Sequence, residues 1–363
     1  MTKRLCMKKI GVMIGHFEPL HLGQVRSVLH ACGQVDQLFL LVTPHPQPNP
    51  DFNIALKDKA RWLSMAFADL PFVKVALLPN LVKPTFDDVF DKNHDDLDVA
   101  EVNAVLGQIL QDFPQLRQGL ADDEPPILFV DEAHPFAKLD LALPVMTTPY
   151  QFGFDSTKIH ANPALYWDVI HPQARPDYTK TIAIVGGESS GKTTLLHKLA
   201  NYYGASFSLE MGRIFVETDL GGTELGMQYS DYPLMASDHE QAIRHAKQLA
   251  TAPLTLVDTD FVTTQAFCEV YEGKTHPFLT ACIDEFRLDY TLMLASNVAW
   301  VADGMRSLGS DNERQSFEHR LKSIFTRHQI SPFYIDNPDY HQRFLQAVDF
   351  IDKVVFKRYT EKG

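Results

Sequence analysis

Three features are scarce in this sequence of 363 residues. The four cysteines lack the paired spacing of a zinc site or a disulfide framework, which favours reduced thiols: Cys6, Cys32, Cys268 and Cys282. No apolar run reaches the roughly 18 residues that span a bilayer, and no signal-peptide core follows the basic start. Basic residues number 33 against 46 acidic ones, a net charge of −13. We therefore expect a cytoplasmic protein without membrane insertion, and nucleic acid is a poor candidate for its main partner.

Two series of apolar runs alternate with helical patterns, which predicts an α/β fold with parallel sheets. The length also fits two domains, at roughly 100–200 residues each. The runs lie at residues 10–14, 37–42, 73–78 and 127–130 in the first half, and at 180–185, 254–258 and 290–294 in the second. Between the halves, the proline-punctuated residues 162–177 are the best candidate for a linker. The predicted domains are residues 1–176 and 177–363.

A glycine-rich loop directly follows the first apolar run of the second half and precedes a helical pattern. It reads Gly186-Gly187-Glu188-Ser189-Ser190-Gly191-Lys192-Thr193-Thr194. In this context the pattern predicts an ATP-binding P-loop, in which backbone N–H groups and a helix N-terminus surround the phosphates. Lys192 would reach the β- and γ-phosphates, and Thr193 would offer its hydroxyl to Mg²⁺. A chance glycine-rich turn is the alternative, and the strand, spacing, lysine and threonine together disfavour it. ATP and Mg²⁺ are the predicted cofactors.

A phosphoryl transferase also needs a carboxylate that orients or deprotonates the acceptor hydroxyl. Asp258 closes an apolar strand, the usual place for a metal-facing carboxylate, and Asp260 follows two residues on. Glu210 ends another apparent strand, close to Arg213. Each of these acids could instead cap a loop or helix, since carboxylates are favoured caps. The sequence leaves Glu210 and Asp258 as competing candidates for the base, with Asp258 also a candidate metal ligand.

Two further segments suit the acceptor side of such a site. Residues 303–310 place two glycines around Arg306, a composition that suits a closing lid. Arg314 and Arg320 follow on a predicted helix, where a solvated charged face is the alternative. The segment Tyr229-Ser230-Asp231-Tyr232-Pro233 offers aromatic rings and a carboxylate to a nucleoside, although such tyrosines are as often packing residues.

These motifs together resemble the ribosylnicotinamide kinase domain of NadR-type proteins, across nearly all of residues 180–350. The matching segments are the P-loop, Glu210-Met211-Gly212-Arg213, Gln228 to Pro233, Asp258-Thr259-Asp260-Phe261 and Arg306-Ser307-Leu308-Gly309-Ser310. The resemblance implies that ATP phosphorylates the ribose 5′-hydroxyl of nicotinamide riboside, giving nicotinamide mononucleotide in NAD salvage. Lys192 and Arg306 are expected to stabilise charge. The expected substrate-binding residues are Arg213, Tyr229, Asp231, Tyr232 and Asp260.

The same family joins this kinase to an N-terminal adenylyltransferase domain with a Rossmann-like nucleotidyltransferase fold, and some members add a helix-turn-helix repressor domain. Because the first predicted strand begins near residue 9, we expect no repressor domain and no DNA-binding role. The first half carries the adenylyltransferase signature as Gly15-His16-Phe17-Glu18-Pro19-Leu20-His21-Leu22-Gly23-Gln24, with Gln24 where the family has histidine. A second family motif reads Phe154-Asp155-Ser156-Thr157-Lys158-Ile159-His160, with His160 where the family has arginine.

Both replacements weaken contacts to phosphate. Gln24 can donate only a neutral hydrogen bond, and His160 lacks the bidentate fork of arginine. Since charge-assisted contacts to phosphate are the strong ones, we predict that adenylyl transfer is impaired or lost while the fold is kept, with Lys158 compensating in part. One alternative is a bifunctional enzyme that tolerates both residues and carries the riboside through to NAD.

Another alternative is that the first half is a nucleotide sensor without turnover. The predicted partners are small molecules: nicotinamide riboside and ATP, joined by nicotinamide mononucleotide and NAD if the first half binds them. The sequence is compatible with a homo-oligomer, and it leaves the base specificity of the riboside site open.

Overall fold

The structure, a computed structural model, describes residues 8–79, 98–118, 120, 124–149, 154–298 and 311–357. The chain divides into two compact units, residues 1–178 and 179–363. The predicted lid, residues 303–310 with Arg306, lies outside the described residues. None of the described helices is both long enough and apolar enough to cross a membrane.

The first unit contains one parallel sheet with the strand order β3-β2-β1-β4-β5. Its strands are β1 (Ile10–Gly15), β2 (Gln37–Val42), β3 (Val73–Leu77), β4 (Ile127–Asp131) and β5 (Val145–Thr148). Its described α-helices are α1 (Leu22–Cys32), α2 (Leu56–Ala66), α3 (Val99–Asp112), α4 (Ser156–Ala161) and α5 (Arg175–Tyr178). Because β1 pairs with both β2 and β4, the loop after β1 opens where the direction of winding reverses, which is where doubly wound sheets bind ligands.

The second unit has a parallel sheet of its own, with the order β10-β9-β6-β8-β7. Its strands are β6 (Lys180–Gly186), β7 (Ser206–Ser208), β8 (Leu254–Asp258), β9 (Tyr290–Leu294) and β10 (Phe333–Ile335). Its described α-helices are α6 (Lys192–Tyr203), α7 (Met211–Asp219), α8 (Tyr232–Gln248), α9 (Phe261–Tyr271), α10 (Pro277–Glu285), α11 (Asp311–Arg327) and α12 (Tyr340–Phe350). The predicted α/β fold with parallel sheets is confirmed.

Helices cover both faces of the second sheet, and this explains the unbroken apolar runs in the sequence. Along the central strand β6, Ile182 and Ile184 belong to one hydrophobic cluster, while Ala183 and Val185 belong to the cluster on the opposite face. All four side chains are fully buried. The P-loop therefore extends from the most enclosed strand of the sheet.

The segment predicted as a linker, residues 162–177, is packed into the first unit instead of bridging two domains loosely. Ile170 is fully buried and forms an isolated antiparallel bridge with His21. The Nε1 of Trp62 donates to the Oδ2 of Asp177 at 2.7 Å. The prolines of this stretch therefore lie within a folded segment.

Candidate active site

The P-loop joins β6 to α6 with a backbone that only glycine fits at two positions. Gly186 has φ of +151°, and a Cβ there would lie 2.7 Å from the carbonyl oxygen of Leu294. Gly191 has φ of +88°, and its Cβ would lie 2.7 Å from the ring of Tyr340. A side chain at either residue would strain the backbone and meet a neighbour, so the two glycines fix the shape of the loop.

The side chain of the P-loop lysine contacts the backbone of the loop. The Nζ of Lys192 donates to the carbonyl oxygens of Gly186, at 3.2 Å, and Gly187, at 3.1 Å. Lys192 is buried and is the first residue of α6, so its ammonium group shares the concave face of the loop with the helix N-terminus. Both supply positive potential to an anion, the requirement for cradling phosphate.

A hydroxyl and a carboxylate meet beside the loop. The Oγ1 of Thr193 donates to the Oδ2 of Asp258 at 2.6 Å, and Asp258 is buried at the end of β8. Both are hard oxygen ligands of the kind Mg²⁺ prefers. No group of three or more histidine, cysteine, aspartate or glutamate side chains among the described residues could hold a metal ion. Mg²⁺ in kinase sites uses one or two protein oxygens together with phosphate oxygens and water, so the pair fits Mg²⁺ bound with a nucleotide.

A buried arginine that the sequence analysis missed braces the P-loop. Arg343, on α12, is 1% exposed and donates from Nη1 to the carbonyl oxygen of Ser190 at 2.7 Å. It also donates to the carbonyl oxygens of Asn337, at 2.6 Å, and Ala295, at 2.9 Å, and to the side chain of Asn297. Burial lowers the pKa of the guanidinium. One arginine therefore ties together the loops that follow β6, β9 and β10.

A pocket that is partly open to solvent adjoins the P-loop, and the empty space in it, open solvent included, is about 770 Å³. It is lined by charged residues near the loop, by threonines after β8 and by apolar and aromatic side chains: Glu188, Lys192, Glu210, Gly212, Arg213, Val216, Glu224, Met227, Tyr232, Met235, Thr259, Thr263, Thr264, Phe267 and Tyr271. The predicted residues Glu210, Arg213 and Tyr232 thus lie around one cavity with Lys192. Glu210 precedes α7, and its side chain accepts no capping hydrogen bond from that helix.

Other predicted site residues lie outside the pocket lining. Asp260 caps α9, with its Oδ1 accepting from the N and the Oγ1 of Thr263, both at 2.9 Å. Burial raises the pKa of Asp260 to about 6. Asp231 accepts from the backbone of Gln228 within a turn, and the hydroxyl of Tyr229 donates to the carbonyl of Thr275. These contacts correspond to the alternatives given in the sequence analysis, in which the acids cap a loop or helix and the tyrosines are packing residues.

Arg314 and Arg320, predicted to lie on a helix, lie on α11, and other residues of the protein hold both. The guanidinium of Arg320 pairs with Glu269 at 3.2 Å, and Arg314 is buried with Nη2 donating to the carbonyl oxygen of Val298 at 3.3 Å.

In the first unit, the signature residues His21 and Gln24 form the N-terminal cap of α1. The Nδ1 of His21 accepts from the N of Gly23 at 3.2 Å, and its Nε2 lies 2.8 Å from the Oγ of Ser156. Burial lowers the pKa of His21 to about 4, so the ring is neutral and Nε2 donates to the serine. The Oε1 of Gln24 accepts from the N of His21 at 3.2 Å. The two predicted motifs therefore meet through His21 and Ser156, whereas Thr157 is exposed.

The ring of His160 is also engaged by the protein. Its Nδ1 lies 3.2 Å from the carbonyl oxygen of Glu18, and its Nε2 lies 2.9 Å from that of Gln47. The ring stacks on His45 with centroids 3.9 Å apart. The carboxylate of Glu18 forms a buried ion pair with Lys59 at 2.8 Å. Polar atoms of His21, Ser156 and His160 are thus directed at one another or at nearby backbone.

The parallel sheet, the strand-loop-helix cradle and the adjoining pocket define a nucleotide-binding protein of the P-loop kinase fold. A family model described as an AAA domain matches residues 181–343. The chain is 33% identical over 363 residues to the trifunctional NAD biosynthesis/regulator protein NadR of Escherichia coli K12, covering 96% of this chain and 84% of that protein. The NadR protein of Salmonella typhimurium LT2 is also 33% identical, with the same coverage. The chain therefore belongs to the NadR family of NAD biosynthesis proteins, as its motifs predicted.

Solved structures agree with the fold. Two crystal structures of NadR protein, one in complex with NAD and AMP-PNP and one in complex with NR, each superpose with a TM-score of 0.73. Each covers 95% of this chain and 96% of the other, at 20% identity. At that identity the likeness establishes the common fold.

Proposed function

We propose that this chain phosphorylates the 5′-hydroxyl of nicotinamide riboside with Mg²⁺-ATP, giving nicotinamide mononucleotide for NAD salvage. We assign this activity to a domain of residues 177–363. The observation that carries the proposal is a single pocket lined by both Lys192 of the P-loop and the carboxylate of Glu210. The relatives crystallised with AMP-PNP and with NR support it by family membership.

The triphosphate would lie in the cradle formed by the loop backbone and the start of α6. Lys192 would exchange its present contacts with the carbonyls of Gly186 and Gly187 for oxygens of the β- and γ-phosphates. Thr193 and Asp258 would hold Mg²⁺, which neutralises charge on the phosphates. Arg306, beyond the described residues, remains our candidate for a further cation at the transferring group.

The pocket favours Glu210 over Asp258 as the base. Asp258 accepts the hydroxyl of Thr193 and is not among the pocket-lining residues, so we assign it to the metal. Glu210 lines the acceptor pocket and would take the proton of the 5′-hydroxyl as that oxygen bonds to the γ-phosphorus. The bond from the γ-phosphorus to the bridging oxygen then breaks, and ADP leaves.

We further propose that residues 1–176 form a nucleotidyltransferase-like domain in which adenylyl transfer is impaired or lost. The strand order with β1 between β2 and β4 supports the fold assignment. Gln24 and His160 stand where the family has histidine and arginine. The Oε1 of Gln24 accepts from the N of His21, and the two ring nitrogens of His160 lie 3.2 and 2.9 Å from the carbonyl oxygens of Glu18 and Gln47. Neither side chain supplies the permanent charge and bidentate fork of arginine to a transferring phosphate.

The test is a product assay of the whole protein with nicotinamide riboside, ATP and Mg²⁺, in which chromatography resolves nicotinamide mononucleotide from NAD. We expect only the mononucleotide to accumulate. A Glu210→Gln variant should lose most of the turnover rate, whereas Asp258→Asn should chiefly weaken the response to Mg²⁺. Absence of both products in the wild type would refute the substrate assignment.

A second assay addresses the first unit, starting from nicotinamide mononucleotide and ATP. NAD formation at about 1 per second or faster, a rate typical of enzymes, would show that the unit is an active adenylyltransferase. The double variant Gln24→His with His160→Arg should raise a low rate if the unit has lost activity, and should change nothing in an enzyme that tolerates both residues. Lys192→Ala is the matched control, because it should abolish the kinase and leave this step untouched.

A further inference from the structure

The described residues that line the acceptor pocket include more acids than bases. Its lining includes the carboxylates of Glu188, Glu210 and Glu224 and the cations Lys192 and Arg213. The phosphates of ATP would neutralise Lys192. Arg213 forms an ion pair at 3.2 Å with Glu217 on its own helix. With a nucleotide bound, the described lining residues therefore favour a cationic acceptor over an anionic one.

One of these carboxylates, Glu224, is held in a fixed orientation. It begins the 3₁₀ turn Glu224–Gly226 that lies between α7 and α8. The hydroxyl of Tyr271, at the end of α9, donates to the Oε2 of Glu224 at 2.8 Å. Phe267 lines the same pocket, and its ring stacks on that of Tyr271 with centroids 5.9 Å apart. A carboxylate and aromatic rings that line one pocket are groups that attract a flat cation.

A second observation indicates that the pocket receives a polar ligand. Tyr232 is 1% exposed and lines the pocket, and its hydroxyl has no hydrogen-bond partner among the described residues. Buried hydroxyl groups normally have a partner, so a group of the ligand is the expected one. Burial raises the pKa of Tyr232 well above its usual value, with Cys268, Glu272, Tyr271 and Glu224 adding to the rise, so the phenol stays neutral.

We infer that Glu224, oriented by Tyr271, selects acceptors whose base carries a positive charge and lacks a carboxylate. The inference rests on the proposed function and concerns the same pocket. The base of nicotinamide riboside is a pyridinium cation with a neutral carboxamide, which can meet the hydroxyl of Tyr232. Nicotinate riboside carries a carboxylate in place of the carboxamide, and Glu224 and the other acids of the pocket repel it. A neutral ring of the same shape gains packing without the charge attraction.

The test compares three acceptors with the full-length protein: nicotinamide riboside, nicotinate riboside and the neutral isostere benzamide riboside. We expect the wild type to prefer nicotinamide riboside. Glu224→Gln should lower kcat/KM for nicotinamide riboside about tenfold, which is the effect expected from losing a contact to a desolvated cation. The ratio of kcat/KM for nicotinamide riboside to that for benzamide riboside should fall accordingly. Tyr271→Phe, which removes only the orienting hydroxyl, should shift the preference in the same direction. Asp238→Asn is the matched control, because Asp238 is an exposed acid of α8 outside the pocket lining.

Equal losses on all three acceptors, or no change with either variant, would overturn the inference. Titration calorimetry with the same ribosides separates this failure from failure of the proposed function. If no riboside is phosphorylated but the cationic one binds more tightly than the neutral one, and Glu224→Gln removes that difference, the proposed function is wrong and the selection stands. Equal binding of the cationic and neutral ribosides by the wild type overturns the selection whatever the turnover.

Discussion

Replacing Arg343 with methionine should weaken both the fold and the ATP site. Methionine keeps most of the apolar stem and removes every donor of a side chain that is 1% exposed. The carbonyls of Ser190, Asn337 and Ala295 would each lose a hydrogen bond. A buried acceptor left without a partner costs about 1–3 kcal/mol. These costs do not add fully, since loops relax, so we expect a loss of about 3–5 kcal/mol in the free energy of unfolding.

The functional effect of Arg343→Met should fall mainly on ATP binding. Because Ser190 belongs to the P-loop, releasing its carbonyl removes a restraint on the cradle and leaves the acceptor pocket lined as before. We expect the KM for ATP to rise about tenfold, corresponding to about 1.4 kcal/mol, with a much smaller change in the KM for the riboside. Arg343→Lys, which can donate to some of the same carbonyls, should fall between wild type and Arg343→Met in both properties.

Urea unfolding with and without AMP-PNP, together with steady-state kinetics in ATP, measures both effects. Arg244→Met is the control, because Arg244 is an exposed arginine of α8 paired with Glu240 and should change stability by no more than about 0.5 kcal/mol. If the Arg343→Met protein is as stable as the wild type, Arg343 does not stabilise the fold by holding these loops together. A destabilised protein with an unchanged KM for ATP would show that Arg343 supports the fold without shaping the P-loop.

Three further predictions concern buried charge and backbone strain. Burial lowers the pKa of His239 to about 4, so between about pH 6.5 and about pH 4 the unfolded chain binds a proton at this residue that the folded chain does not. His239 should therefore contribute a loss of roughly 1.4 kcal/mol per pH unit in the free energy of unfolding as the pH falls through this range, and urea unfolding of His239→Leu should show a slope shallower by that amount. Lys59→Met leaves Glu18 buried without its ion pair and should cost about 3–5 kcal/mol by urea unfolding, most of which Glu18→Gln in the same chain restores. Gly191→Ala should raise the KM for ATP about tenfold, and adding Tyr340→Ala should recover only part, since it relieves the contact but not the strain at φ of +88°.

The positions of strands could be predicted from the sequence where one local property decides the structure. Strands buried on both faces appear as continuous apolar runs, so the runs at 37–42, 254–258 and 290–294 coincide with β2, β8 and β9. Short strands gave a weaker signal. The apparent strand ending at Glu210 is β7, which has only the three residues Ser206–Ser208, and β10, also of three residues, was not predicted. Their pairing is decided by neighbouring strands, which a window along the chain does not contain.

The site was predictable to the extent that its residues are neighbours in sequence. The P-loop follows from eight consecutive residues, while the contact of Tyr271 with Glu224 joins positions 47 apart and that of Arg343 with Ser190 joins positions 153 apart. A weak signal for Arg343 was present, since it lies four residues before Ala347 on the buried face of α12. The chemistry of a residue can be inferred from its type, but its partners depend on which loops the sheet order places side by side.

The two units differ in how their polar side chains are used, and this bears on any attempt to restore adenylyl transfer. In the acceptor pocket, the hydroxyl of Tyr232 has no partner among the described residues and is available to a ligand. In the first unit, Gln24 caps the start of α1 by accepting from the N of His21. A histidine at position 24 would give up that cap at a cost of about 0.5–2 kcal/mol unless its ring reaches the same N–H.

An arginine at position 160 has a similar conflict. Its guanidinium would have to leave the carbonyls of Glu18 and Gln47, which would otherwise hold the new charge as they now hold the ring of His160. Each restored residue thus competes with contacts that its replacement has already formed. Single restorations should therefore yield little activity, and the double variant should gain more than the sum of the two.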